Sequence, residues 1–396
     1  MRIVVKFGGT SLATAERLER AASAVGDVID RGHEVVVVAS AMGDRTDELL
    51  AVLPHRIDEV ARADILSMGE RESIRLLAAA LEAADVPAMY LEPGHDAWPV
   101  IATEDGDLDL DATAAASTEV LELAQEVVPV VAGFVAERPD GSVTTLGRGS
   151  SDTTAAALGT VLDADEVVIV TDVTGVMTAD PRSVEGARNV GSVDADRLRE
   201  LSARGADVVS PDALALKDDD VSMRIVHYQQ HDLLSGGTVV EGAFSSVVDL
   251  REGPIVAITL AGRGLRTQPG ILEAVSGRLT RADIPIVAVG SGLDSLTVYV
   301  DDARAAEAET ALHETVLESD HLWSVSRSEP LGIVRVTGRG LAEDPHRLID
   351  ALAAVDEAHV DPTDVITSAT TIALVVPWEH AERALTVAQA ALTTTG

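Results

Sequence analysis

The chain has 396 residues, 46% of them apolar, with 66 acidic against 30 basic side chains and a formal charge of −36. Such a length exceeds one ordinary core and calls for two or three domains, while the charge repels nucleic acid and anionic membranes. The absence of cysteine excludes disulfides, thiolate zinc sites, iron–sulfur clusters and cysteine nucleophiles. No apolar run of membrane-spanning length is free of charge, so no span is expected. Met1-Arg-Ile-Val-Val-Lys6 enters a strand-like run at once, without the regions of a signal peptide, so the expectation is a cytoplasmic protein. Only Lys6 and Lys217 are lysines; the other 28 basic residues are arginines. In a chain this poor in lysine, each remaining one is a candidate for chemistry that a compact point charge performs best.

In chain order, Ile3–Val5, Val35–Ala39, Ala88–Leu91, Val128–Val131, Val167–Val170 and Arg224–His227 read as strands. Continuous valine and isoleucine runs of this kind suit strands covered on both faces. Between the first two, Leu12, Ala15, Leu18, Ala22, Val25 and Ile29 recur at helical spacing. The alternation predicts a three-layer α/β domain with a mostly parallel sheet over residues 1–245. Beyond residue 250 the chain repeats itself at an offset of 76 residues. Gly262-Arg-Gly-Leu265 falls on Gly338-Arg-Gly-Leu341, Pro269 on Pro345 and Val289 on Val365. Each copy reads strand, loop, helix and two strands, which predicts two small ferredoxin-like α+β units at 255–326 and 331–396.

Lys6-Phe7-Gly8-Gly9-Thr10-Ser11 lies between the first strand and the first helix. Glycines there let backbone N–H groups approach an anion, and Lys6 at the strand end can neutralise a phosphate in transfer. The Gly-Gly pair alone also fits an ordinary turn. Thr144-Thr-Leu-Gly-Arg148-Gly-Ser150-Ser151-Asp152-Thr153 offers a glycine-flexed loop with a cation, hydroxyls and a carboxylate ahead of an alanine-rich helix. Arg148 can grip a carboxylate with two parallel hydrogen bonds, and Asp152 can hold an ammonium or orient Lys6; a helix cap is the plainer role for Asp152, Ser150 or Ser151. Thr171-Asp172-Val-Thr-Gly-Val-Met177-Thr-Ala-Asp180-Pro-Arg182 follows an apolar strand, at the edge where open α/β sheets place ligands.

These segments together resemble the aspartate kinases, an amino acid kinase family with paired C-terminal ACT domains, and the likeness spans essentially the whole chain. It implies transfer of the γ-phosphoryl group of ATP, with Mg2+, to the side-chain carboxylate of L-aspartate, the first step toward lysine, threonine and methionine. Lys6 and Asp152 match catalytic positions. Lys6, Phe7, Gly8, Gly9, Thr171, Asp172, Asp180 and Arg182 match the ATP side, and Ser40, Thr46, Glu70, Arg148 and Ser151 match the aspartate side. The family's usual ATP-contacting lysine is Asp207 here, so Lys217 is the candidate replacement; a surface lysine paired with Asp218–Asp220 is the other reading. A second family glycine is Ser150, and an aromatic is Met177. Gln268, Gly270, Ile271 and Leu272 match an effector loop for lysine or threonine, although an acid common on the facing strand is Val287. ACT modules commonly pair between chains, which implies a homo-oligomer. Other carboxylate kinases of the same fold, and a non-catalytic amino-acid sensor, are the alternatives.

No metal site built from protein side chains is expected. None is needed for the nucleophile either, because an aspartate side chain with a pKa near 3.9 is already an anion at neutral pH. The spread of acidic charge over the chain reads as adaptation to a salt-rich cytosol, where ions screen the self-repulsion. The melting temperature is therefore expected to climb as KCl rises from millimolar to molar, as calorimetry would show; indifference to KCl would contradict this reading.

Overall fold

The computed structural model describes residues 1–147, 149–203, 208–244, 247–265, 268–337, 345–368 and 370–393. Arg148, Asp207 and the repeated Gly338–Leu341 lie outside these described residues. The chain divides into two compact units, 1–244 and 245–396.

In the first unit, β1 (Arg2–Phe7), α1 (Gly9–Leu12), α2 (Ala15–Asp30) and β2 (Glu34–Ala39) lead into α3 (Arg45–Val52), α4 (Glu59–Ala83) and β3 (Ala88–Leu91). Then come α5 (Leu110–Leu123), β4 (Val128–Ala132), the hairpin β5 (Val135–Glu137) and β6 (Val143–Thr145), α6 (Ser150–Val161) and β7 (Glu166–Thr171). The unit closes with β8 (Ser192–Asp194), α7 (Ala195–Ala203), α8 (Pro211–Leu216), β9 (Ser222–His227) and β10 (Thr238–Glu241).

The main sheet has the order β3-β4-β2-β1-β7-β9-β10-β8. It is parallel from β3 to β9, and β10 runs antiparallel to β9. All six expected strands are present in it, flanked by helices in the three-layer arrangement. Val4, Val36, Val130 and Val168 are fully buried in the central strands, which is why branched side chains fill them on both faces. The single helix expected after β1 is instead two. One turn, α1, stops at Ala13, and Thr14 then caps α2 by accepting a hydrogen bond from the Arg17 N–H.

From β1 the chain winds outward to β2, and after β4 it crosses back to β7 on the other side of β1. The direction of winding therefore reverses between β1 and β7. A reversal of this kind opens a crevice at the carboxyl ends of the strands, where such sheets place ligands. At that point the Gly8 N–H donates to Val170 O at 3.0 Å.

The second unit contains β11 (Val247–Leu250), β12 (Ile255–Gly262), α9 (Ile271–Arg281), β13 (Ala288–Ser291), β14 (Ser295–Asp301), α10 (Ala305–Leu317) and β15 (Leu322–Arg327). It continues with β16 (Leu331–Thr337), α11 (Pro345–Glu357), β17 (Asp364–Thr367), β18 (Thr371–Pro377) and α12 (Ala381–Thr393). Strands β12 to β15 with α9 and α10 form one complete βαββαβ module. Among the described residues its partner has no strand after α12. The missing edge is supplied by β11, which precedes the first module and pairs antiparallel with β16. Val248 and Leu250 of β11 pack against the core that holds Val334, Val355 and Leu374. The two modules are thus not serial as 255–326 and 331–396, since the second also draws on residues 247–250. Replacing Leu250 by Asp places a charge against that core and should cost about 2 kcal/mol or more. Hydrogen exchange is expected to quicken in β16 and β18 while β12 and β14 keep their protection.

Candidate active site

Lys6 occupies β1 between Val38 of β2 and Ile169 of β7. Its side chain leaves the sheet at the crevice with only 9% of the residue exposed. Its ammonium lies 2.6 Å from Asp152 Oδ1. Asp152 stands in the first turn of α6, whose cap is Gly149 at a φ of 78°, a left-handed conformation that a side chain would strain. The capping role is therefore taken by glycine. The Asp152 carboxylate turns away from its own helix, and Oδ2 accepts from the Ser210 N–H at 3.2 Å. Ser210 Oγ caps α8 by accepting from the Ala213 N–H and lies 3.2 Å from Thr153 Oγ1. A buried ion pair whose spare oxygen also has a donor fulfils the condition under which such pairs hold their geometry.

The glycine turn serves packing as well as approach. A Cβ on Gly9 would collide with the carbonyl oxygen of Ala41, and Gly43 N–H donates to Gly9 O at 2.9 Å. Gly9 thereby lets the turn after β1 seat against the loop after β2. The Phe7 side chain is buried in the core at 2% exposure, and its carbonyl accepts from the Ser40 N–H at 3.1 Å.

A cavity of about 820 Å3 opens at this place. Lys6, Ser40, Thr46, Glu70, Ser151 and Asp152 all line it, so the structure gathers into one space residues scattered over nearly 150 positions of sequence. Glu70 is the unusual member. It is 2% exposed on α4; Oε1 accepts from the Ala41 N–H at 3.3 Å, and Oε2 is buried without a partner among the described residues. Burial pushes its carboxyl up to about 7, against the opposing effect of backbone hydrogen bonds. A buried carboxyl with one unsatisfied oxygen in a cavity suits a cationic ligand group.

Thr171, Asp172, Asp180 and Arg182 lie outside the lining of this cavity, in and beyond the carboxyl end of β7. Thr171 Oγ1 donates to Asp172 Oδ1 at 3.3 Å. Arg182 pairs with Asp180 at 3.1 Å in open solvent, and its hydrogen bonds hold the Asp180 carboxyl below the usual carboxylate range. These exposed groups stand beside the cleft with their polar atoms accessible.

Lys217 is a correction to the sequence reading. It follows α8 and precedes β9, whose first residue pairs with Glu166 at the amino end of β7. Strand β9 rises about 16 Å to the carboxyl edge, so Lys217 lies at the wrong edge of the sheet for the Lys6 crevice. Its ammonium is buried and donates to the carbonyls of Asp218 and Gly242, and burial lowers its pKa from the usual lysine value. Sequence reasoning also missed Ser210 and a stripe of α4. The Ser210-Pro211 pair is the signature of a helix cap followed by proline at the first position. Glu59, Arg62, Ala63, Leu66 and Glu70 line the cavity at helical spacing.

The amino acid kinase family model matches residues 1–227. An aspartokinase of Thermus thermophilus is 32% identical over 402 residues, covering 97% of this chain and 96% of the relative. Aspartokinase 2 of Bacillus subtilis is 32% identical over 400 residues, covering 94% and 93%. The chain belongs to the aspartokinases of the amino acid kinase family. The crystal structure of aspartate kinase from Synechocystis aligns with a TM-score of 0.81 at 26% identity, over 99% of this chain and 69% of that one.

Within this aspartokinase fold a second cavity, of about 390 Å3, lies in the second unit. Gln268, Gly270 and Ile271 line it, together with Thr315, Glu318 and His321. Gly270 caps α9 at a φ of 81°. Leu272 is half exposed and outside the lining.

The raised Glu70 carboxyl has a consequence for stability. Its folded pKa of about 7 exceeds the ordinary value of 4.5, so its protonated form is favoured in the native state. That stabilising contribution is complete below pH 4.5 and is lost as pH rises to 7. Glu70→Gln is expected to be more stable than wild type at pH 8 by roughly 2 to 3 kcal/mol and close to it at pH 4, as urea unfolding at the two pH values would show.

Proposed function

We propose that the chain transfers the γ-phosphoryl group of ATP to the side-chain carboxylate of L-aspartate, giving 4-phospho-L-aspartate and ADP. The observation that carries this reading is the pairing, in one cavity, of a buried lysine held by Asp152 with a buried Glu70 oxygen that lacks a partner among the described residues. Glu70 is suited to the substrate ammonium. Ser40, Thr46 and Ser151 supply hydroxyls for its carboxylates, with Arg148 as the cation that grips one of them. The substrate carboxylate attacks as an anion, so no side chain has to remove a proton. The task left to the protein is to hold two anions together and to neutralise charge as it moves to the leaving phosphate. Lys6 is suited to this, and Asp152 aims its ammonium.

The backbone turn at Gly8 and Gly9 and the Thr171–Arg182 edge form the nucleotide side. Among the described residues no group of three or more imidazoles or carboxylates stands ready to hold a metal. Mg2+ would enter with the ATP phosphates and supply positive charge to offset theirs. The Gln268–Ile271 cavity is the proposed effector site for lysine or threonine, with the start of α9 facing a carboxylate. Pairing of ACT modules between copies would make a homo-oligomer. Among the described residues no helix is long and apolar enough to cross a membrane.

The test is aspartate-dependent ADP release from Mg-ATP in molar KCl, with the acyl phosphate trapped by hydroxylamine. Wild type should yield the hydroxamate, and Lys6→Ala should lower kcat by about a thousandfold. Lys217→Met should leave the KM for ATP unchanged within about twofold, since its ammonium lies at the far edge. Absence of any aspartate-dependent hydroxamate from wild type would overturn the proposal.

A further inference from the structure

Arg199 of α7 is only 1% exposed and heads the largest fully buried side chains. A guanidinium is costly to bury, so its surroundings have to use it. Its Nε–H donates to Pro211 O at 3.1 Å, and its guanidinium carbon stacks 4.3 Å from the centre of the Phe244 ring. Pro211 is joined directly to Ser210, whose N–H donates to Asp152, and Asp152 holds Lys6. Pro211 and Ser210 also form part of the cavity wall, as does Ser202 one turn beyond Arg199 on α7. Arg199 itself is absent from that wall, so it acts through the segment it grips.

Phe244 is the last residue of the kinase unit. The stretch leading to it is gripped at two points. The buried ammonium of Lys217 takes the carbonyl of Gly242, and the guanidinium of Arg199 takes the ring of Phe244. The first point ties the stretch to the end of α8 and the second to α7. α7 reaches the cavity wall with Ser202 and α8 begins there with Ser210 and Pro211; α7 packs on α8, and α8 packs on α6, where Asp152 resides. The last three residues of the kinase unit are thereby built into the scaffold that aims its catalytic lysine.

We propose that Arg199 is a positioning residue for phosphoryl transfer: with its guanidinium held by the Phe244 ring, it fixes Ser210–Pro211 and through them the Asp152–Lys6 pair. Loss of the Phe244 ring would remove one support of the Arg199 guanidinium, loosen the Ser210 N–H from Asp152 and slow the transfer. The affinity for either substrate would change little, because neither Arg199 nor Phe244 touches the cavity. The inference rests on the proposed role of Lys6 and Asp152.

The experiment uses the full chain under the assay above. Phe244→Leu keeps an apolar side chain but removes the ring, and Phe244→Tyr restores it. Arg199→Lys keeps a cation over the ring but removes the planar fork that donates to Pro211 O. Phe244→Leu is expected to lower kcat about threefold to tenfold with both KM values within twofold, and Phe244→Tyr to recover wild-type kcat. Arg199→Lys should lower kcat similarly, and adding Phe244→Leu to it should lower kcat little further. A purely structural Arg199 predicts something else: lower melting temperatures for both variants with wild-type kcat well below them, and that result overturns the inference. Should Arg199→Lys fail to fold, the Phe244 pair decides alone. Wild type without aspartate-dependent turnover would instead count against the proposed reaction, which separates the two failures.

Discussion

The 2.6 Å pair between Lys6 and Asp152 is the constraint on which the rest of the kinase unit depends. Two charges taken out of water hold each other only if the geometry is good and their remaining polar atoms are satisfied. The pair joins the central strand of the sheet to the first turn of α6, and the second Asp152 oxygen brings in the start of α8 through Ser210. Three elements distant in sequence thus meet at one carboxylate. The position of the cavity wall follows from that meeting, and so does the direction in which the lysine points. Glycine is required at Gly9 because the loop after β2 has to close against the same turn.

How much of this was legible in the sequence depended on the range of the interaction. The six central strands were readable because continuous valine and isoleucine runs admit few other fates, and Lys6 at the end of one of them was placed by the strand itself. Asp152 was readable as a site residue but not as the partner of Ser210, which lies 58 residues away and is brought near only by the packing of α6 on α8. Glu70 looked like any glutamate on a long helix. Its burial arises from the loop after β2 folding over it, which no local pattern announces. Lys217 was misplaced because sequence distance from Asp207 says nothing about which edge of the sheet a residue occupies; the start of β9 fixed it at the amino edge.

The second unit shows the same limit at the level of topology. A repeat at fixed offset announces two similar modules, yet it cannot show that the second borrows its edge strand from upstream of the first. β11 has only four residues, and its pairing with β16 spans Asp249 to Arg335. A short edge strand carries little sequence signal, and its place is decided by Val248 and Leu250 finding an incomplete core.

The two lysines bring the charge of the chain and its chemistry together. In a protein of −36 with 28 arginines, both lysines are buried, at 9% and 4% exposure. Each ammonium is received by oxygens converging from different segments: a carboxylate at Lys6, two main-chain carbonyls at Lys217. A compact three-donor cation can satisfy such a nest, whereas a planar guanidinium presents its donors in a fixed fork. Arg199 shows the converse, since its guanidinium lies over a flat ring and donates to a carbonyl, surfaces that a plane matches. The choice between the two cations follows the shape of the receiving site. Surface positions place no such demand on shape, so lysine can be lost there freely, and the positions where it survives are those where the fold or the reaction needs a point charge.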